Sequence, residues 1–264
     1  MIKAGVVGAL GKMGREVVKA ISESSDMLLC MAVDIQRQGE DVGEIVLNKS
    51  NGVLIYSDLE KALVEQKPDV VIDFTQPSTI YQNAKTYLKN KINCVIGTTG
   101  LKEEQIQDLK KVSEENQTAC LIAPNFSLGA VLMMQFAQKA AKYFNNAEII
   151  ELHHNQKKDA PSGTAIKTAQ LMAESNTDFT LSNCPETETI QGARGANASA
   201  NVHIHSVRMP GYIASQEVIF GASGQILTIR HDSMDRTCYM SGVLMAARYV
   251  AEHKEFIYGL ENIL

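Results

Sequence analysis

Short apolar runs alternate with amphipathic segments from residue 1 to about residue 125. The runs are continuous in their apolar character, which is typical of strands in a parallel sheet that is buried on both faces. The segments between them have helical spacing and predict right-handed crossover helices, so the whole region predicts a doubly wound α/β domain. The apolar runs are KAGVVGA, LLCMAVD, DVVIDF, NCVIGTT and ACLIAPN, and the helical segments are REVVKAISES, LEKALVEQ, TIYQNAKTYLKN and EEQIQDLKKVSEE.

The pattern changes after a long predicted helix at about 129–144. A strand (AEIIELHH), a helix (TAIKTAQLMAES) and a polar stretch at about 176–200 follow, and then three β-like runs (NVHIHSVR, YIASQEVIF and QILTIRH). Turns containing Pro210-Gly211 and Ser223-Gly224 separate these runs, as expected of an antiparallel or mixed sheet. This region therefore predicts a second domain of the α+β class.

These patterns also predict where the domains begin and end. The first domain is predicted over 1–127 and the second over 128–236. The last helix, SGVLMAARYVAEH, lies within 237–264 and is apolar enough to pack on a large surface. The sequence leaves open whether this helix packs back on the first domain or on the second.

Composition narrows the class of partner. The 264 residues include 25 Lys and Arg against 30 Asp and Glu, a formal net charge of -5. This balance argues against nucleic acid and anionic membranes as partners, so clusters of cations are interpreted as local sites for a small molecule. The N-terminus lacks a signal-peptide pattern, and no apolar run approaches the roughly 18 residues of a membrane span, which predicts a cytoplasmic protein.

The cysteines predict buried thiols. They are odd in number, widely spaced and free of any Cys-x-x-Cys pair, which favours a reducing compartment over disulfides or structural zinc. No metal site is expected. The five are Cys30, Cys94, Cys120, Cys184 and Cys238.

A glycine-rich turn follows the first predicted strand. Gly8, Gly11 and Gly14 have three-residue spacing and lead into a helix, where a tight turn and a helix N-terminus can receive a pyrophosphate. Asp34 ends the second strand, where a carboxylate would accept hydrogen bonds from the adenosine ribose. Close helix packing alone is the alternative reason for the glycines, and the position of the turn in the first strand-turn-helix unit favours dinucleotide binding.

The residues around Asp34 indicate which dinucleotide is preferred. The carboxylate would repel a 2'-phosphate and so favours NADH, whereas Arg37 leaves NADPH open. Other strand ends that would open towards the same crevice are DFTQP, GTTG and APNFS. Thr98 and Thr99 in the second of these are candidates for a cofactor contact and equally for helix N-caps.

A cationic stretch, ELHHNQKKDAPSGTA at residues 151–165, lies in the second domain after its first predicted helix. A solvated loop is one interpretation. If the first domain binds a nicotinamide, however, these cations fit a carboxylate-bearing substrate. The backbone N–H groups of PSGTA add to them at a predicted helix start, where Pro161 suits the first helical position. His153 and Lys157 are then a candidate pair of proton donors.

This stretch resembles the signature of the 4-hydroxy-tetrahydrodipicolinate reductase family, traditionally called dihydrodipicolinate reductase. The pattern E-x-H-x-x-x-K-x-D-x-P-S-G-T-A is met at every fixed position. The resemblance covers the whole chain, because GALGKMG, VVIDFTQPSTI, VIGTTG, APNFSLG and GARG…IHSVR also look like that family in the same order.

The resemblance implies a reductase of diaminopimelate and lysine biosynthesis. In this family, hydride passes from NADH or NADPH to C4 of a cyclic dicarboxylate, and the 4-hydroxyl leaves as water. It implies that His153 donates or accepts a proton and Lys157 donates one, while His154, Gly163 and Thr164 hold substrate carboxylates. It further implies a homotetramer formed through the sheets of the second domain. The cofactor residues implied are Gly8, Ala9, Leu10, Gly11, Lys12, Met13, Asp34, Gly97, Thr98, Thr99, Ala123, Pro124, Asn125 and Phe126.

Two departures and two rival functions bear on this interpretation. Ile35 stands where many relatives carry Arg, which weakens any preference for NADPH, and Asn155 and Gln156 reduce the positive charge around the substrate.

Another dinucleotide-dependent dehydrogenase of amino-acid metabolism would have no reason to repeat the whole signature. A non-enzymatic nucleotide sensor would keep the glycine turn and lose His153 and Lys157, and both residues are present.

Overall fold

The computed structural model describes residues 1–180 and 185–264. By their contacts these residues form two units: Met1–Leu128 with Tyr239–Leu264, and Gly129–Cys238. Cys184 and part of the polar stretch at 176–200 lie outside the described residues.

Strands and helices alternate in the first unit, whereas the second unit contains consecutive strands. The strands are β1 (Ile2–Val7), β2 (Met27–Val33), β3 (Ile55–Tyr56), β4 (Val70–Asp73), β5 (Asn93–Ile96), β6 (Cys120–Ile122), β7 (Asn146–His153), β8 (Ala196–Asn197), β9 (His203–Arg208), β10 (Ala214–Ala222), β11 (Gln225–Ser233) and β12 (Phe256–Tyr258). The helices are α1 (Lys12–Glu23), α2 (Val42–Leu47), α3 (Leu59–Gln66), α4 (Ile80–Lys89), α5 (Glu103–Asn116), α6 (Leu128–Ala141), α7 (Gly163–Ser175) and α8 (Met240–Glu252).

The first unit contains a seven-stranded sheet in the order β12-β6-β5-β4-β1-β2-β3. Every neighbouring pair is parallel, as the continuous apolar runs predict. All four residues of β4 are buried, and so are all four of β5, because helices cover both faces of such a sheet. The predicted doubly wound α/β fold is confirmed.

Two strands of this sheet were not predicted from the sequence. Strand β3 adds two residues beside β2, and β12 adds three beside β6. Segments this short show no apolar periodicity of their own, and their place is set by pairing with a neighbouring strand. Helix α8 contacts β4, β5 and β6, which places the C-terminal helix in the first unit.

The second unit contains a five-stranded mixed sheet in the order β11-β10-β7-β9-β8. Strands β7 and β9 are parallel, and the other neighbours are antiparallel. Its core joins the sheet to α6 and α7, with Phe220, Ile149 and Met172 fully buried. The register sets Glu151 of β7 beside Gln216 on β10 and Ser206 on β9, so a polar patch continues the apolar core towards the end of β7.

Candidate active site

The glycine turn after β1 is shaped by contacts that exclude side chains. Gly8 has φ +77°, a conformation that L residues with a side chain rarely adopt, and a Cβ there would lie 3.0 Å from the carbonyl oxygen of Phe74. A Cβ on Gly14 would lie 2.0 Å from the carbonyl oxygen of Gly8. The backbone of the turn is therefore packed directly against the first turn of α1.

Helix α1 presents its N-terminus at this turn. Its N-cap is Gly11, so no side chain caps the helix. The first turn of α1, all of it within the described residues, holds no acidic side chain. First-turn N–H groups have no partner inside a helix, and together with the helix dipole they favour an anion. The turn fits the pyrophosphate of a dinucleotide.

Asp34 fixes the glycine turn to the end of β2. Its Oδ2 accepts a hydrogen bond from the backbone N–H of Leu10 at 2.9 Å, and its Oδ1 accepts one from Gln36 at 3.1 Å. The carboxylate thus lies beside the turn, at the position where a ribose hydroxyl would reach it.

Arg37 is oriented towards Glu40. Its Nη2 and Nε donate to the two carboxylate oxygens at 2.6 and 3.0 Å, and both side chains are about half exposed. The pair raises the pKa of Arg37 and lowers the pKa of Glu40. Ile35 is 89% exposed and offers no charge to a phosphate.

The loops that follow β4, β5 and β6 lie at the same edge of the parallel sheet as the glycine turn. The Thr98 hydroxyl donates to the carbonyl oxygen of Thr75 at 3.1 Å, and the ring of Phe126 packs edge-on against Phe74 at 5.9 Å. The alternative interpretation of Thr98 and Thr99 as helix N-caps is wrong, because the N-cap of α5 is Lys102. Thr98 instead holds two of these loops together.

A buried carboxyl group lies at the end of β4. Asp73 accepts hydrogen bonds from the Tyr87 hydroxyl at 2.6 Å, from the amide of Asn83 at 3.0 Å, and from the N–H and hydroxyl of Thr75 at 2.7 and 2.6 Å. Burial raises its pKa, and these hydrogen bonds act in the opposite direction. The sequence pattern places Asp73 only at the head of DFTQP, one of the strand ends expected to open towards the crevice, and does not predict its buried hydrogen bonds.

In the second unit, the site is built around the fully buried carboxylate of Glu151. His153 Nδ1 lies 2.5 Å from one of its oxygens, and Arg208 donates to both oxygens at 2.7 and 2.8 Å. The N–H of Ser162 donates to it at 3.2 Å. Burial by itself raises the pKa of Glu151, but the hydrogen bonds from His153 and Arg208 outweigh burial and bring the pKa to about 2. Glu151 is therefore an anion.

The signature loop, residues 154–162, joins β7 to α7. Lys157 Nζ lies 2.8 Å from both carboxylate oxygens of Asp159, which lowers the pKa of Asp159. The carbonyl oxygen of Asp159 accepts from Arg208 at 2.7 Å. Lys157 is thus held, through Asp159 and Arg208, to the same carboxylate that contacts His153.

The start of α7 differs from the predicted one. Ser162 is the N-cap, with its hydroxyl accepting from the N–H of Ala165 at 3.2 Å, and the helix begins at Gly163. Pro161 therefore precedes the cap, and its assignment to the first helical position is wrong. A serine cap satisfies one first-turn donor and leaves the N–H groups of Gly163 and Thr164 for an anion.

The exposure of the predicted substrate residues follows their contacts. His153 is 14% and Lys157 21% exposed at the side chain, so both are largely enclosed and still reachable from solvent. His154 and Gly163 are exposed, and Thr164 is intermediate. The structure brings His153 and the N-terminus of α7 into contact with the carboxylate of Glu151, and it links Lys157 to that carboxylate through Asp159 and Arg208.

Comparison with known proteins decides the family. A family model described as "Dihydrodipicolinate reductase, N-terminus" matches residues 2–126, and one described as "Dihydrodipicolinate reductase, C-terminus" matches residues 129–264. The chain belongs to the dihydrodipicolinate reductase family. The predicted family, the predicted enzyme class of NAD(P)H-dependent oxidoreductase and the predicted reductase activity of lysine and diaminopimelate biosynthesis are confirmed.

Relatives in this family match over their full length. The 4-hydroxy-tetrahydrodipicolinate reductase of Listeria innocua is 53% identical over 100% of both chains. That of Gloeothece citriformis is 51% identical, covering 98% of this chain and 96% of the relative. A solved structure, the dipicolinate-bound dihydrodipicolinate reductase from Paenisporosarcina sp. TG-14, is 45% identical over 100% of both chains, with a TM-score of 0.89.

Arg208, which links the reductase signature to the rest of its sheet, is a functional residue that the sequence pattern did not reveal. Arg208 lies within a run that the resemblance includes, yet the run itself assigns it no partner. Its contact with Glu151 spans 57 residues and depends on the pairing of β7 with β9. A basic residue at the end of a predicted neighbouring strand was the one available signal.

Among the helices of the described residues, none combines the length and the apolar character that a membrane span requires.

Proposed function

We propose that the second unit binds a cyclic dicarboxylate, 4-hydroxy-tetrahydrodipicolinate, and that the first unit binds NADH or NADPH for its reduction to tetrahydrodipicolinate. The observation that carries this assignment is the contact of His153 and the N-terminus of α7 with the buried Glu151, to which Lys157 is joined indirectly through Asp159 and Arg208. It supplies two proton-bearing side chains and an anion-binding helix end within one loop and its flanking elements.

The carboxylates of the substrate are proposed to lie against the signature loop and the start of α7. The N–H groups of Gly163 and Thr164 and the exposed side chain of His154 are donors suited to a carboxylate. A similar reductase has been solved with dipicolinate, a planar ring with two carboxylates. This supports a dicarboxylate as the ligand of the present chain.

His153 and Lys157 are proposed to handle the protons of the reaction. The cofactor supplies hydride, which brings two electrons to C4 of the ring. Departure of the 4-hydroxyl as water consumes one proton, because a hydroxyl leaves as water only after its oxygen gains a hydrogen. Lys157 is a donor, and His153 can donate or accept a proton, which suits the two to this step.

The proposed cofactor contacts all belong to the first unit. Its glycine turn, Asp34 and the loops after β5 and β6 lie at the carboxyl edge of the sheet, where doubly wound folds bind nucleotides. Asp34 would meet a 2'-phosphate as a like charge, and Arg37 is already paired with Glu40. We therefore propose that NADH is at least as good a cofactor as NADPH.

The working form of the protein is proposed to be a cytoplasmic homotetramer assembled through the sheets of the second unit. Strand β11 is an edge strand of that sheet, and its Ile226 is 77% and its Leu227 38% exposed. An exposed apolar edge strand is suited to pairing with another copy of the chain.

The proposed roles of His153 and Lys157 are tested by replacing each with Ala. Each change should lower kcat by about 10²- to 10⁴-fold, the usual contribution of a positioned proton donor or acceptor. NADH affinity should stay unchanged, since the proposed cofactor residues belong to the other unit. Near wild-type turnover in a folded variant would remove that residue from the chemistry.

A further inference from the structure

The buried Glu151 is surrounded by donors from separate elements of the second unit. His153 belongs to its own strand β7, Ser206 and Arg208 to β9, and Ser162 caps α7. A buried carboxylate is tolerated only when it is paired and hydrogen-bonded. A purely apolar core residue could fill the same volume, so the charge points to a task beyond packing.

One task follows from the contact with His153. A carboxylate accepts hydrogen bonds and donates none, so the proton between Glu151 and His153 Nδ1 belongs to the ring nitrogen. In neutral imidazole the other nitrogen, Nε2, is then the acceptor, and in imidazolium it is the donor. Glu151 thus commits Nε2 to exchanging protons with a ligand and fixes the orientation of the ring.

Arg208 extends this arrangement to the signature loop. Its Nη1 and Nη2 donate to the two oxygens of Glu151, and Nη2 also donates to the carbonyl oxygen of Asp159. The next residue, Met209, donates its N–H to the carbonyl oxygen of His153 at 3.0 Å. The planar fork of Arg matches a carboxylate in a way that the point charge of Lys does not.

We propose that Glu151 and Arg208 are positioning residues of the reductase. Glu151 sets the Nδ1-protonated form of His153, and Arg208 holds Glu151 and the loop that carries Lys157 in register. This inference rests on the proposed roles of His153 and Lys157 in the reaction, and it deepens them by naming what orients both groups.

The first test is a neutron crystal structure of the deuterated wild-type enzyme. We expect a deuteron on His153 Nδ1 at any pH at which the crystals survive, because the ionised Glu151 can only accept. A bare Nδ1 with a deuteron on Glu151 would overturn the inference. This measurement needs no variant, so it decides the question even if substitutions at Glu151 prevent folding.

The second test compares kinetics and NADH binding in Glu151→Gln and Arg208→Lys. Each should lower kcat by about 10- to 100-fold, the loss expected when a residue that orients a reactive group is removed. The dissociation constant of NADH should stay unchanged. The matched control is Arg248→Lys, which makes the same change at an exposed arginine that forms a fork with Asp26 at 2.7 and 2.9 Å in the first unit. The control should keep wild-type kcat.

The outcomes separate this inference from the proposed function. A folded Glu151→Gln or Arg208→Lys enzyme with the kcat of the control would overturn the positioning role. A parallel loss of NADH binding would show general structural damage and would also count against it. If the wild type fails to reduce the dicarboxylate while the deuteron is found on Nδ1, the proposed function fails and the orientation of His153 stands.

Discussion

Replacing Tyr87 by Phe tests the role of the buried Asp73 in the first unit. Both side chains are fully buried, and the Tyr87 hydroxyl donates to Asp73 at 2.6 Å. A hydrogen bond to a charged group contributes about 1.5 to 3 kcal/mol, and the substitution leaves the carboxylate with one donor fewer. For a protein of this size we expect the melting temperature to fall by about 3 to 12 °C at neutral pH.

The pH dependence of this loss has a definite sign. Burial raises the pKa of Asp73 above its unfolded value, so its contribution to stability is fully present below the unfolded pKa and is lost as the pH rises through the folded pKa. The bond from Tyr87 lowers the folded pKa and so limits that loss. The Tyr87→Phe penalty should therefore be largest at neutral pH and shrink on acidification.

Thermal unfolding followed by circular dichroism measures both effects. Wild type and Tyr87→Phe are compared at neutral pH and at the lowest pH at which the wild type stays folded. The matched control is Tyr249→Phe, which removes an equivalent 2.6 Å hydrogen bond to the exposed Glu255 and should change stability little. A Tyr87→Phe penalty no larger than that of the control, or one that grows on acidification, would refute the reasoning.

Three further predictions concern the cofactor and the assembly. Arg37→Ala should weaken NADPH binding by about tenfold, because a guanidinium released from Glu40 can pair with a 2'-phosphate. The affinity for NADH should stay almost unchanged. A strong NADPH preference that survives the change would contradict this. Calorimetry should detect NADH binding to wild type without substrate and none to Gly14→Ala, whose methyl group would lie 2.0 Å from the Gly8 carbonyl oxygen; equal affinity would contradict a preformed turn. Light scattering at micromolar protein should give the mass of a tetramer, and a monomer would exclude that assembly.

The order of the main strands and helices could be predicted from the sequence because it depends on local patterns. The buried run that becomes β4 is apolar up to its last residue, Asp73, and its prediction as a strand needs no distant information. Strands β3 and β12 were out of reach, since two or three residues carry no period and their pairing joins segments far apart in the chain. The parallel pairing of β7 with β9 could not be predicted either, because it too joins segments that are far apart in the chain.

The candidate site divides in the same way. His153 and Lys157 stand in one short motif and could be chosen by residue type and spacing. Arg208 could not, because its role depends on a contact across two strands. Pro161 shows the limit of a local rule: proline suits the first helical position, but the side chain of Ser162 caps the helix and shifts its start by two residues.

The most direct test of the central claim is the initial rate of NADH oxidation by the wild-type enzyme, measured with and without the condensation product of pyruvate and aspartate semialdehyde. The site geometry predicts rapid oxidation only when this cyclic dicarboxylate is supplied, and loss of about 10²- to 10⁴-fold in kcat in His153→Ala. Oxidation that does not depend on the dicarboxylate, or that persists unchanged in His153→Ala, would contradict the account.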